Sequence, residues 1–266
     1  MKVKKIRVLI LVLLILFILA WSLSPKRQRI NYLVDIARGK YSSVIFPNSD
    51  FHFNLYCGNI YLGQFVLNIK EGIFHEKEVY EANLALKPPQ FLRRISGDRI
   101  GLNAFSIISQ ETLLPYYFEQ NDFFRKKKGK KGRIVEYQHD QLMMLRKGRI
   151  EDIEDDTRDY ASLVVWLMNQ DYSQKIFFKS TLNINRTIYL VLGKIKDSAS
   201  DRGGLSASSL VKLKIKFIEL TKDYQKKNAL SVDAYLFKMG DYYVPLLFRF
   251  KKGLFTFTVN LNKNDG

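Results

Sequence analysis

The stretch whose reading decides the fold is FHFNLYCGNIYLGQF, residues 51–65. Phe51, Phe53, Leu55 and Cys57 alternate with His52, Asn54 and Tyr56. That is the period of a strand with one apolar face. Gly58-Asn59 reads as a tight hairpin turn. The run after it, from Ile60 to Lys70, is apolar on both faces and reads as a central strand.

The same rhythm continues outward from this hairpin. EVYEANLALK is a strand bounded by Pro88-Pro89, after which FLRRI reads as a short helical turn. RIGLNAFSIIS, PYYFEQNDFF and RIVEYQHD follow, with QLMMLRKG as the hairpin partner of RIVEYQHD. Later come RTIYLVLGKI, LVKLKIKFIELT, LSVDAYLFK, YYVPLLFRFK and LFTFTVNL. Gly240-Asp241 and Lys252-Gly253 read as hairpin turns, and Pro245 marks an edge or a bulge. KDSASDRGGLSASS, residues 196–209, reads as a polar loop. One segment breaks the period. TRDYASLVVWLMNQD places Tyr160, Leu163, Val164, Leu167 and Met168 on one helical stripe. Asp156 or Thr157 is the expected cap, with Asp159 suited to the first turn.

Composition agrees. Of 266 residues, 47% are apolar and 14% aromatic, with 19 Phe and 15 Tyr, a strand-favouring balance large enough for a core. Cys57 is the sole cysteine, which excludes a disulfide framework within one chain.

The N-terminus has its own signature. MKVKKIR is followed by an uncharged run from Val8 to Ser24 and then by PKRQR. The run is at the short end for a spanning helix and long for a signal-peptide core. Pro25 disfavours cleavage after Ser24, so an uncleaved anchor is expected ahead of a cleaved signal or a buried helix. Trp21 suits an interface. The cations Lys2, Lys4, Lys5 and Arg7 outnumber Lys26, Arg27 and Arg29, which orients the N-terminus inside. The expectation is a single-pass inner-membrane protein with its folded domain in the periplasm. Residues 1–24 form the anchor or uncleaved signal, 25–50 a juxtamembrane connector and 51–266 the β-rich domain. INYLVDIARGK extends the anchor helix by a turn or two, with Gly39 as its stop.

The net charge is +17. Residues 1–29 carry seven cations and no acid, leaving +10 for the remainder. RKKKGKKGR, residues 125–133, concentrates seven cations in nine positions. It reads as a solvated hairpin loop, with an anionic-lipid or nucleic-acid patch as the alternative. EDIEDDTRD, residues 151–159, reads as an acidic turn leading into the helix and able to attract that loop. A nucleic-acid role conflicts with the anchor and is not expected.

No constellation for catalysis emerges. DRGG, residues 201–204, lacks the spacing and the lysine of a phosphate loop, and GGLSASS lacks that of a serine elbow. His52, His75 and His139 have no paired-ligand spacing. A metal site shared by His52, His75 and Cys57 would need three or four convergent ligands, so no metal or cofactor is expected. Cys57, alternating with Phe53 and Leu55, reads as a small core residue. Glu151, Asp152, Glu154, Asp155 and Asp156 are read as a solvated turn and helix start. Asn185-Arg186-Thr187 is a sequon relevant only in a eukaryote.

The order of motifs resembles a bacterial exported family, domain of unknown function 3108. FHFNLYCGNIYLGQF matches its opening strand, glycine turn and second glycine. LLPYYF (113–118), IVEYQHDQLMML, DTRDYASLVVWL and FKMGDYYVPLLFRFKKGLFTFTVNL match its later elements in order, over roughly residues 51–261. KPPQFLRR departs from the family's Thr/Ser-Gly turns. The resemblance implies an exported strand-rich domain, similar to periplasmic lipoprotein carriers, and supplies no catalytic residues.

The expected fold is mainly β: a large curved antiparallel sheet or half-barrel with one packed amphipathic helix, preceded by a transmembrane helix. The expected role is not enzymatic. It is binding of a lipid or other apolar ligand in the concave sheet. The alternative is an envelope protein that docks partner proteins through its sheet without a small ligand.

Overall fold

A computed structural model describes residues 30–41, 46–91, 94, 101–122, 133–173, 177–184, 187–196, 209–221 and 226–262. Over these residues the chain is mainly β, as the alternation requires. The first group of strands is β1 (Ser49–Cys57), β2 (Ile60–Phe74), β3 (Lys77–Lys87), β4 (Leu102–Ser109) and β5 (Pro115–Asp122). β6 (Arg133–Gln138), β7 (Met143–Arg146) and β8 (Arg149–Asp152) extend this meander. After the two-residue β9 (Thr157–Arg158) come β10 (Phe177–Ile184), β11 (Thr187–Lys196) and β12 (Leu210–Leu220). β13 (Lys226–Met239), β14 (Tyr242–Lys252) and β15 (Phe255–Leu261) complete the set. All belong to one sheet, in the order β8-β7-β6-β5-β4-β3-β2-β1-β15-β14-β13-β12-β11-β10-β9.

The sheet is mixed, which corrects the antiparallel expectation at one place: β9 pairs parallel with β10. Helix α2 (Tyr160–Met168) lies between these two strands in sequence. They therefore form a strand–helix–strand crossover, the connection that parallel pairing demands.

β8 and β9 are the two ends of the strand order, yet only residues 153–156 separate them in the chain. Five residue steps reach at most about 18 Å. The sheet must therefore curl until its two edges approach. Side chains close the gap, with Arg146 of β7 donating from Nη2 to Asn183 Oδ1 of β10 at 2.8 Å.

α2 sits inside this curl, between β3 and β4 on one side and β10 and β14 on the other. Ala161, Ser162, Leu163, Val165, Trp166, Leu167 and Met168 are all buried. Burial thus extends around the helix, whereas its spacing predicts a single apolar stripe. A helix wrapped by a sheet has no solvent face to keep polar. Its cap is also corrected. Asp159, not Asp156 or Thr157, caps the helix, accepting from Ala161 N and Ser162 N at 2.7 and 2.9 Å.

A second helix, α1 (Ile30–Tyr41), lies in the segment read as a connector and continues through Gly39. Leu33, Val34, Ile36 and Ala37 are buried, and α1 packs on β13, β14 and β15. The register shows which face it covers. The pairs Val211–Leu236 and Leu213–Ala234 belong to the core around α2. The alternating pairs, Leu210–Phe237 and Lys212–Tyr235, point the opposite way. Arg38 of α1 lies over the Phe237 ring at 5.3 Å. The two helices therefore cover opposite faces of β13 and β14, which is why Tyr242 through Leu247 are all buried.

The opening hairpin is as read. β1 and β2 join through Gly58-Asn59, with Gly58 at φ 58°. The second glycine has a separate task. The register passes from Leu55–Gly63 to Tyr56–Tyr61, leaving Leu62 as the extra residue of a bulge. Gly63 has φ 141°, and a Cβ there would sit 2.5 Å from the Lys87 carbonyl oxygen. Gly240-Asp241 forms the β13–β14 turn, but the last hairpin turns at Gly253-Leu254, one residue later than read. No described helix is long and apolar enough to cross a membrane, and the run 8–24 lies outside the described residues. So do residues 125–132 of the basic loop and 197–208 of the polar loop.

Candidate functional site

The inner face of the curl is defined by contact with α2. On β4 it carries Ser106, whose hydroxyl donates to Asp159 Oδ2 at 2.7 Å. Register carries that face sideways through Ala82, Ile69 and Leu67 to Phe51 and Phe53 of β1. All of these are buried. At this end the interior is filled by α2.

The α2 entry is a buried polar knot. Asp159 accepts three side-chain and backbone hydrogen bonds, and Ser162 Oγ accepts in return from Asp159 N at 3.0 Å. Burial raises the Asp159 carboxyl, against the lowering effect of its donors. Arg158, next to it, lies over the Trp166 ring at 4.7 Å and donates through Nη1 to the Leu113 carbonyl. Burial pulls the Arg158 guanidinium down to about 10, so it stays charged at neutral pH. His139 Nε2 is 3.0 Å from the Pro115 carbonyl, and its ring stacks on Tyr137. These groups fasten the helix and its straps to the sheet.

The opposite end of the strands differs. There the inner-face row runs Val232, Phe250, Phe257, Cys57, Ile60 across β13, β14, β15, β1 and β2. Phe250 and Phe257 stack at 5.1 Å with an interplanar angle of 12°. Ile60 is 45% exposed and Phe255, two residues before Phe257 on the same face, 46%. Leu254 in the adjoining turn is 80% exposed. This arc is apolar, concave and half-covered.

The same end of the inner face turns polar across β5, β6 and β7. Gln120 pairs with Arg133, and Val135 with Arg146. With Tyr137, Lys147 and Asn183 they surround a cleft of about 210 Å³, walled on its apolar side by Phe118 and Val135. Arg146 is buried, bonded to Asn183 and 3.4 Å from Glu151 Oε2. Lys147 stands in the β7–β8 turn. The mouth of the curl thus has an apolar wall and a cationic wall.

The residues weighed from sequence are dispersed. Cys57 is at the mouth and half-buried. His75 lies in the β2–β3 turn, about 45 Å of strand away, so the imagined His52, His75 and Cys57 site does not converge. Among the described residues no group of three His, Cys, Asp or Glu could hold a metal. In the acidic run Asp152, Glu154 and Asp155 are exposed, and Glu154 to Asp156 form the link and turn before β9. Glu151 and Asp152 are in β8, and the Asp156 carbonyl accepts from Ser180 Oγ at 3.0 Å. Tyr160, Leu163 and Trp166 are spent on packing, with Trp166 edge-on to Phe178 at 5.4 Å. The cleft residues come from β5, β6, β7, β10 and a turn, and no local spacing marks them. The hairpin reading of RIVEYQHD and QLMMLRKG was the nearest available signal.

No family model, curated protein or solved structure matches the chain.

Proposed function

We infer that the protein is a membrane-tethered, non-catalytic binding module that holds the hydrocarbon part of a lipid or similar ligand at the open end of its curled sheet. The observation that carries this reading is the half-covered apolar arc of Ile60, Phe250, Phe255 and Phe257 on the concave face. Such an arc costs stability if left facing water, at about 25 cal/mol per Å² of apolar surface, and a concave apolar surface is the usual place for a ligand. The run 8–24 serves as the tether, with the folded domain outside the cytoplasm, and keeps the mouth near its source of ligand. The motif order that resembles domain of unknown function 3108 fits an exported carrier.

The competing reading, docking of an envelope protein, is favoured by α2, which fills the rest of the interior. A fluorescent fatty acid titrated into full-length protein in nanodiscs separates the two. A saturable signal above that of empty nanodiscs, weakened by Phe250→Ser with Phe257→Ser, supports ligand binding. Absence of any saturable component leaves docking as the better account.

A further inference from the structure

The cationic cleft has a chemistry that the apolar arc does not use. Its inner-face cations are Arg133 and Arg146, with Lys147 at the lip. Glu151 flanks Arg146, and Asp159, bound by its helix-capping donors, belongs to the α2 entry. Among these cations Arg146 is the buried one, and its Nη1 has no hydrogen-bond partner. Arg146 is also oriented. Asn183 Oδ1 accepts from its Nη2 while Asn183 Nδ2 points to Met144 Sδ at 3.3 Å, so the amide is locked between two β7 side chains. A buried guanidinium held in this way is costly unless an anion shares its charge, and Glu151 at 3.4 Å is a loose, partly exposed partner.

Size narrows the ligand. About 210 Å³ is below the ~300–1,000 Å³ of sites that enclose a whole organic ligand. The cleft therefore fits a small group rather than a complete molecule. Guanidinium forks match the planar carboxylate and the phosphate tetrahedron, and Gln120 adds an amide on the same wall.

We propose that the cleft formed by Gln120, Arg133, Arg146, Lys147 and Asn183 binds a small oxyanion, a carboxylate or a phosphate. The oxyanion is either the head group of an amphiphile whose chain lies on the apolar arc, or a free anion. The first source rests on the proposed function, and the second does not.

The test uses full-length protein and three water-soluble probes: octanoate, octanol and inorganic phosphate. Binding is followed by calorimetry in wild type, in Arg133→Gln with Lys147→Gln, and in Arg146→Lys, with circular dichroism to confirm folding. Arg133 is half-buried and Lys147 exposed, so the double variant keeps the buried Arg146–Asn183 link. An amphiphile head group predicts that octanoate binds about tenfold or more tighter than octanol, with the difference erased in the double variant. A free anion predicts phosphate binding that the double variant abolishes, whether or not the octyl probes bind. If octanoate and octanol bind equally and phosphate does not bind, the cleft proposal is overturned while the apolar reading stands. If no probe binds to folded protein, both fall.

Discussion

Gly193 shows how a single residue fixes the packing of the curl. It pairs with Phe178 across β10 and β11, and the Phe178 ring lies over it. A Cβ at Gly193 would meet that ring at 1.8 Å. The ring has nowhere to go, because Trp166 and Tyr172 are packed against it at 5.4 and 6.3 Å between centroids. Gly193→Ala is expected to lower stability by about 1–3 kcal/mol, as overpacked cores do. In a Phe178→Ala background the same substitution should cost much less, so the two effects should be strongly non-additive in urea unfolding. Additive costs would mean that the ring does not occupy that space. His139 is the residue with a pH signature. Burial lowers its pKa from the ordinary 6.5, outweighing the Pro115 carbonyl, which favours the proton. The unfolded chain therefore takes up a proton first as pH falls through about 6.5. Full stability is present above that value, and stability is lost as pH descends towards the lowered folded value. Asp159, held above its ordinary 3.8, works in the opposite sense at lower pH. Unfolding midpoints measured at pH 7.5 and 5.5 should fall more for wild type than for His139→Gln. An equal fall would remove His139 from the account.

At the scale of the element, α2 is the informative case. Its existence was legible from spacing, because Leu163, Val164, Leu167 and Met168 recur at helical intervals. Its environment was not legible, because a stripe and a fully buried helix differ only in residues such as Ala161 and Ser162, which suit either setting. The cap was misplaced for a physical reason. β9 takes Thr157 and Arg158 into the sheet and leaves Asp159 at the first non-helical position. β8, β9 and β10 were missed for a related reason. β8 and β9 are short and charged, and in β10 the small polar Ser180, Thr181 and Asn183 are buried on both faces, which erases the alternation that betrays a strand. Asp159→Ala should cost about 2–4 kcal/mol, since it strips two backbone donors and Ser106 of their acceptor in a buried site. Asp159→Asn keeps the Oδ1 acceptor and should cost distinctly less. Equal losses in thermal unfolding would show that charge, not capping geometry, sets the value.

For the molecule as a whole, the β character and most strand neighbours could be read from period and turns. Closure could not. It depends on β8 and β9 being brought to opposite edges of one sheet by a four-residue link, a relation that no local pattern expresses. Nor could the covering of both faces of β13 and β14, since α1 lies in a segment that reads as an extension of the apolar N-terminus. That covering answers how runs such as YYVPLLF can be apolar on both faces of a single sheet. What the helices leave uncovered is the mouth, where an apolar arc and a cationic cleft share the inner face. The cleft was invisible for the same reason as closure: its side chains meet only after the curl forms.

Photo-crosslinking of full-length protein with a diazirine-bearing fatty acid, mapped by peptide mass spectrometry, tests the central claim most directly. Beyond labelling of the apolar N-terminal run, the account predicts adducts within residues 55–62 and 248–259, reduced by an excess of unlabelled fatty acid. Labelling confined to the N-terminal run, or spread over the outer face without competition, would contradict it.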